Sequence, residues 1–563
     1  MYDTLHEVEL IACVYSNGIR FSISDLSPPT TRILPTIFQD RLGVSLYDAQ
    51  YSAGVKGSIP GDIIREVVAA LVRFKRTCED FEVPHHRVRV VATEATREAI
   101  NSADFIREIK ESTGWPVEML AKEEEGRIGA MGVASSFSSL KGLVMDLGGG
   151  SVQLTWLITD NGEVHTSPKG AVSLPYGAAA LTRHLDEIRV HGRGTKSAFK
   201  SEMIANFKNA LDDLEIPPVL SKAASEAGGF TVYLSGGGFR GWGYILMSSG
   251  AIQPYPIPTI NGFSAPEATF TATEHIQSLD NSSTFRISSR RASQVPAVSF
   301  LITALTSALP SIHHIYFAQG GLREGLLFSS LPPQIRRQHP LITATLPHAP
   351  RSTVALLALL KTGIPSSDNG PQPYVMTDNA FLTSLIHLLY YHAPLPKDTR
   401  APAALRSTTT GALASAHGLL HGSRAALALA LCERWGGELP PSDVDFLARM
   451  QEIVGAVQSW WAKYVGRLAA VVGEVYPSGI IREGEERVKF RCRWDSSDKG
   501  GAVVQIDVGL RGGVGVAGVR PAWADGLEKV GKKKNWVCGR EGCGWKVDVR
   551  MRPIEEVEVV EAL

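Results

Sequence analysis

The chain has 563 residues, and its 57 Lys plus Arg balance 57 Asp plus Glu, so the formal net charge is zero. That length exceeds what one core organises and predicts three or four domains, at roughly 100 to 200 residues each. The neutral balance gives no general electrostatic reason to expect nucleic acid or acidic lipid as partner. Six cysteines, at 13, 78, 432, 492, 538 and 543, suit reduced thiols of an intracellular chain rather than a disulfide framework. The first 30 residues carry Glu7, Glu9 and Asp25 among short apolar runs, unlike a secretory signal or an Arg-rich transit peptide. The most apolar later stretches, Val354 to Leu360 and Ala425 to Cys432, fall far short of the ~20 residues a membrane-crossing helix needs. The expectation is a soluble, cytoplasmic protein.

In chain order, "VELIACVYSNGIRFSISDL" (8 to 26) reads as strand, turn and returning strand. A helix follows from Asp62 as N-cap, with Ile63, Val67 and Leu71 beside Ile64, Val68 and Val72 on one face. Then come strand 87–93, helix 104–112, strand 116–120, helix 123–137 and strand 142–147, an α/β alternation. After the glycines of "VMDLGGGSVQLTW" the pattern restarts. "VQLTWLI" is strand, 197–214 helix, "FTVYLSGGG" (230 to 238) a strand entering glycines, 295–309 helix, and "HIYFAQGGLREG" (314 to 325) strand into glycines again. The Pro-, Ser- and Thr-rich stretch 250–290 reads as a long surface excursion. Beyond "SSLPPQ" (329 to 334) the sequence is Ala- and Leu-rich and helical, with loops at 363–374 and 393–411. From about 481 it becomes Gly-, Val- and charge-rich and β-like.

Glycines are needed where φ must be positive or where a side chain would hold a ligand off the backbone, and successive amides in such loops form anion-binding nests. Gly148 to Ser151 fits neither Walker A, because Ser151-Val152-Gln153 follows Gly150, nor the dinucleotide fingerprint, because Leu154 occupies the third glycine's place and the chain continues as strand. What remains is a β-hairpin turn gripping phosphate, with Asp146 at the strand end to hold a hydrated cation or a water. One triplet alone reads as a tight turn. The companion glycines, Gly236, Gly237 and Gly238 and then Gly320-Gly321, favour the phosphate reading.

Together these segments resemble the exopolyphosphatase and guanosine pentaphosphate phosphohydrolase (Ppx/GppA) family over about residues 10 to 330. They are "SNGIRFSISDLSPPTTRILP", "VVATEATREAINSADFIREI", "EMLAKEEEGRIGAMGV", "VMDLGGGSVQL" and "YFAQGGLREGLLF". "SNGIRFSISDLSPP" and "LSGGGFRGWGY" are similar to its fungal retrograde-regulation branch. The resemblance implies two actin-like, ribonuclease-H-like (ASKHA) domains around a cleft, at 1–128 and 129–332. A helical, degenerate HD-like domain at 333–480 and a small β-rich tail at 481–563 would follow. It also implies magnesium-dependent hydrolysis of terminal phosphoanhydrides, with Glu125 as general base and Arg97 as phosphate-binding arginine. Asp146, on the metal side, stands with Gly148, Gly149, Gly150 and Ser151 as second phosphate loop, and Ser16 and Asn17 as the surviving end of the first. A phosphoryl group leaving an anhydride needs positioning, charge neutralisation and a proton acceptor more than covalent help. By themselves, Glu123 to Glu125 read as carboxylates serving a helix N-terminal dipole, and Arg97 as a surface ion-pair arginine.

Three positions depart from the family pattern. Cys13 stands where the first loop has aspartate, Tyr15 where it has glycine, and Gln153 where the bacterial enzymes carry a glutamate. Either the cleft binds phosphate poorly or without turnover, or residues 1–15 come from a wrongly chosen start of translation or exon. Two readings follow. One is a ligand sensor in mitochondria-to-nucleus signalling through protein partners; the other is an active phosphohydrolase. Expected partners are a polyphosphate or nucleotide ligand and signalling proteins, without DNA or membrane, a homodimer being allowed. His417 and His421, four apart on one helical face, read as a relic of an HD site without its metal. Trp460, Trp461 and Tyr464 read as core, Cys538 and Cys543 as an incomplete zinc set, and Lys532 to Lys534 as a solvated turn.

Overall fold

The structure is a computed structural model and describes residues 8–15, 18–52, 55–191, 195–278, 284–366, 378–496, 501–511 and 521–557. The chain divides into two compact units, the first made of 1–251, 259–340 and 417–419, the second of 252–258, 341–416 and 420–563.

The first unit contains two sheets. In one, β1 (Val8–Tyr15), β2 (Gly18–Asp25) and β3 (Thr36–Leu42) form an antiparallel meander, and β4 (Val88–Ala92) and β5 (Val117–Met119) add parallel on the other side of β1, giving the order β3-β2-β1-β4-β5. In the other, β6 (Lys141–Leu147), β7 (Val152–Asp160) and β8 (Glu163–Thr166) repeat the meander, β9 (Val172–Leu174) pairs with β7, and β10 (Phe230–Ser235) and β12 (Ile312–Phe317) add parallel beside β6. The same strand order therefore occurs twice, which is the duplicated actin-like architecture that the resemblance implies. Both hairpins expected from the alternating sequence are present.

Amphipathicity explains the first core. In the Gly61–Asp80 helix Ile64, Val67, Val68, Leu71 and Phe74 are buried, and they meet Phe21 and Ile23 of β2 and Val90 of β4. Asp62 is not its N-cap; Pro60 holds that position and Asp62 sits in the first turn, where its charge still suits the helix dipole. The Lys122–Ser135 helix crosses the Leu322–Ser330 helix at a backbone-to-backbone approach: a Cβ at Gly325 would stand 1.9 Å from the Ile128 carbonyl oxygen. Gly325→Ala is therefore expected to lower stability by about 2 kcal/mol, the usual cost of overpacking, read from denaturant unfolding. Buried Arg32 fastens this region, donating to the carbonyls of Arg336 (2.8 Å), Ser135 (3.1 Å) and Phe137 (2.8 Å).

The stretch 250–290 is not the surface excursion its composition suggests. Its part in the first unit supplies the edge strand β11 (Ser264–Pro266), antiparallel to β12, and buries Ile260, Phe263, Phe270 and Ile276. Spaced apolar residues among the prolines carried that signal.

The second unit is helical through Val475 and then forms a three-stranded sheet of β13 (Val488–Ser496), β14 (Ala502–Leu510) and β15 (Lys546–Pro553) with the Ala522–Val530 helix. Its core includes Trp460, Trp461 and Tyr464, all fully buried, with Tyr464 donating to the Gly363 carbonyl at 2.8 Å. The expected loop at 393–411 contains a helix, Lys397–Arg406, in which Pro402 hid the periodicity. Of the other expected loop, 367–374 lies outside the described residues. His417 and His421 do not share a helical face: the helix begins at His421, and His417 precedes it. Each is engaged separately, His417 Nε2 with Ser135 Oγ (2.8 Å) and His421 Nδ1 with the Tyr255 hydroxyl (2.8 Å). Lys533–Asn535 is a short 3-10 turn. Among the described residues no helix is long and apolar enough to cross a membrane.

Candidate functional site

A cavity of about 150 Å³ opens in the first unit where β4, β6 and β10 end. Carboxyl ends of parallel strands are where open α/β sheets place ligands, because the following turns present free backbone amides. The β6–β7 hairpin turn supplies one wall. Gly148 N–H donates to the Ser151 carbonyl (3.0 Å), and the carbonyls of Gly148, Gly149 and Gly150 accept from Ala178, Ala179, Ala180 and Gly177. The turn's carbonyls are thus occupied by the start of the Ala178–His191 helix. The amides of Gly149, Gly150 and Ser151 have no protein acceptor among the described residues, which is the condition for an anion nest.

Gly236, Gly237 and Gly238 are not a loop, as the glycine run suggests; they form the first turn of the Gly236–Ser249 helix, and all three line the cavity. The N-cap Ser235 makes no side-chain cap, its hydroxyl donating instead to the Gly320 carbonyl at 2.9 Å. First-turn amides therefore face the cavity end, and with the helix dipole they favour an anion. Gly236 has φ +89° and would bring a Cβ within 2.4 Å of the Leu147 carbonyl oxygen, so only glycine lets β10 turn into this helix against β6.

Charge is concentrated here. Arg20, Arg41, Arg240, Arg290 and Arg291 all line the cavity. Arg240, with its guanidinium on the carbonyls of Gly236 (3.1 Å) and Gln319 (3.2 Å), is held down at about 10 by burial and by Arg20 and Arg291. Arg291 is held at about 10 by burial and by Arg41, Arg20 and Arg290. Such mutual depression of like charges is what a bound polyanion relieves. Opposite them, burial raises the Asp146 carboxyl, partly offset by Ser235, Arg240 and Arg20.

The three consecutive glutamates separate by environment. Glu123 is exposed, Glu124 holds Arg127 through two bonds of 2.9 and 2.7 Å, and only Glu125 lines the cavity. Burial pushes Glu125 up to about 7, with Arg97 opposing and Glu94 and Asp146 adding to the rise. A carboxylate at that value is matched to accepting a proton near neutrality.

Arg97 departs from its expected place. It does not line the cavity; its guanidinium is committed to Glu125 (3.3 Å) and to the Leu120 carbonyl (2.5 Å), so it orients Glu125 rather than facing the cavity. Asp146, Gly148, Gly149 and Ser151 line it, and Gly150 does not. Ser16 and Asn17 lie outside the described residues. The cavity arginines were missed by sequence reading, although Arg20 and Arg240 each follow a glycine segment closely and Arg290-Arg291 open a helix as a pair. Glu324 was missed as well: it lines the cavity, bonds Arg323, accepts from Gly321 N–H (3.0 Å) and is pulled down to about 2 by Arg323 and His417 against the effect of burial.

A magnesium ion takes hard oxygen donors and usually keeps waters, completing its shell with one or two carboxylates and substrate phosphates. Asp146 and Glu94 line the cavity with such oxygens, and Gln153 offers a neutral one. Among the described residues no three acidic, His or Cys side chains converge on a metal position. The donor set thus fits an ion shared with phosphate oxygens, not a cage of protein ligands alone.

The sequence profile of the Ppx/GppA phosphatase family matches residues 25–334, and that of the RTG2 C-terminal domain matches 339–554. Retrograde regulation protein 2 of Saccharomyces cerevisiae is 41% identical over 492 residues, spanning 84% of this chain and 82% of that protein. Among solved structures, the Aquifex aeolicus PPX-GPPA enzyme is 21% identical, with a TM-score of 0.44 over 57% of this chain and 100% of the other. An exopolyphosphatase from Cytophaga hutchinsonii is 19% identical, with a TM-score of 0.42 over 58% of this chain and 99% of the other. By the extent of the family match and of the yeast likeness, the chain belongs to the Ppx/GppA phosphatase family, on the branch that carries the RTG2 C-terminal domain.

Proposed function

We propose that this protein binds the phosphoanhydride chain of a polyphosphate or nucleotide in the cavity of its first unit and, through that binding, regulates mitochondria-to-nucleus signalling by way of protein partners. The observation that carries the reading is the convergence of five arginines with Gly149 and Ser151, whose amides have no protein acceptor among the described residues, on one cavity. Cations arranged around backbone donors recognise the oxygens of linked phosphates. The yeast relative's name supports the signalling part. The helical region of the second unit is the proposed partner surface.

A second reading, active hydrolysis, is favoured by Glu125. It would accept the proton of an in-line water, while Arg97 fixes its orientation and the cavity arginines offset charge on the phosphate oxygens. Magnesium, held by Asp146 with phosphate oxygens, would add charge neutralisation.

The test is purified protein with magnesium and tripolyphosphate or a nucleoside triphosphate, followed for binding by calorimetry and for phosphate release. Binding without release is expected of a sensor, and release that disappears in Glu125→Gln of an enzyme. Absence of both would end the phosphate-binding reading.

A further inference from the structure

Gln153 leaves the second phosphate loop one carboxylate short of the bacterial pattern, and the structure places another beside it. Glu94 follows β4 after Thr93, in the first turn of the short Glu94–Arg97 helix, and is half-buried. It lines the same cavity as Asp146, Glu125 and Gln153. It also touches the loop itself. Ser151 Oγ donates to Glu94 Oε2 at 3.4 Å, and that oxygen lies 3.2 Å from where a Gly150 Cβ would stand. Gln153 Oε1 lies near Gly126, 3.6 Å from where a Cβ there would stand, on the Lys122–Ser135 helix that carries Glu125. The loop is therefore flanked by a neutral amide from its own strand and by an anionic carboxylate brought from the other sheet.

We propose that Glu94 supplies the anionic oxygen for a phosphate-bound divalent cation that position 153 lacks in this chain. The inference rests on the reading of the cavity as a phosphoanhydride site. A neutral amide oxygen can bond a cation's water but adds no negative charge, and an ion that keeps several waters can be held by one or two carboxylates with phosphate oxygens completing the shell. The Ser151 hydroxyl, tied to Glu94, sits at the turn whose amides would hold those phosphate oxygens.

The test uses imidodiphosphate, which is not hydrolysed at its bridge, and the full chain titrated by calorimetry across a magnesium series. Glu94→Gln is expected to raise the magnesium concentration for half-maximal binding about tenfold, the low end of the usual loss for a metal-site partner. Gln153→Glu in that background is expected to restore it to near the wild-type value, which a merely structural effect of residue 94 would not allow. Gln153→Glu alone is expected to lower the midpoint, so the inference stays testable if Glu94→Gln folds poorly. Wild-type magnesium dependence that Glu94→Gln leaves unchanged, or a double variant no better than Glu94→Gln, overturns the role of Glu94 and leaves the phosphate site standing. Binding indifferent to magnesium in the wild type does the same, and no binding at all overturns both.

Discussion

If the cavity hydrolyses its ligand, Glu125→Gln is expected to reduce phosphate release from tripolyphosphate by 10² to 10⁴-fold, the usual contribution of a positioned general base, with little change in ligand affinity. The wild-type pH profile supplies the second half of the expectation. Burial raises the Glu125 carboxyl from 4.5 to about 7, and a base acts only when ionised. Release per unit of free enzyme should therefore fall about tenfold for each pH unit below 7, where an ordinary glutamate would give a flat profile down to pH 5. Stability should move the opposite way. A carboxyl whose folded value lies above its unfolded one contributes stability in full below pH 4.5 and loses it as pH rises through about 7. At pH 8 the Gln variant, which has no ionised form, should exceed wild type by up to about 3 kcal/mol. Loss of activity together with a gain in stability at pH 8 marks a base held in an adverse environment. Activity loss together with instability would instead indicate that Glu125 mainly neutralises Arg97.

Local rules made much of this fold legible. The β1–β2 hairpin, the amphipathic Gly61–Asp80 helix and the strand carrying Asp146 all follow from alternation, periodicity and glycine placement, which act over a few residues. The repeat of one strand order in two sheets was visible as a recurring strand-to-glycine pattern. What stayed hidden depends on residues brought together from far apart. Arg41, Arg240 and Arg291 come from β3, from the helix after β10 and from the helix at Ser289–Ala308, and nothing in their immediate neighbours says that they face one cavity. The roles of Glu123, Glu124 and Glu125 differ because helical rotation turns only the last toward the cavity, which a run of identical residues cannot display. Arg97 shows the reverse limit: the segment that carries it matched the family, yet its guanidinium is engaged by a carboxylate and a carbonyl. The glycines at 236 to 238 stand out in the sequence, but whether glycines make a loop or open a helix depends on packing such as that of Gly236 against Leu147.

Arg291→Met is expected to weaken tripolyphosphate binding about 100-fold, since a charge-assisted bond to a phosphate oxygen contributes roughly 1.5 to 3 kcal/mol. It should also raise the thermal midpoint of the unliganded protein, by about 2 °C. Both signs come from the same crowding. Burial and then Arg41, Arg20 and Arg290 hold the guanidinium at about 10, below its ordinary 12.5, so its charged form is less favourable in the folded protein than in the unfolded chain. For a base depressed in this way the cost is present throughout the neutral range and fades only as pH rises through about 10. Removing the charge relieves its neighbours, so the empty protein gains, while the ligand loses one of the cations that would offset its own charge. The salt dependence of tripolyphosphate affinity should become shallower in the variant, because fewer charges are being compensated. Calorimetry at two ionic strengths, beside thermal unfolding without ligand, reads all three effects. Weaker binding with a lowered midpoint would mean that Arg291 supports the fold of the Ser289–Ala308 helix, whereas unchanged affinity would place the phosphate chain away from this wall of the cavity.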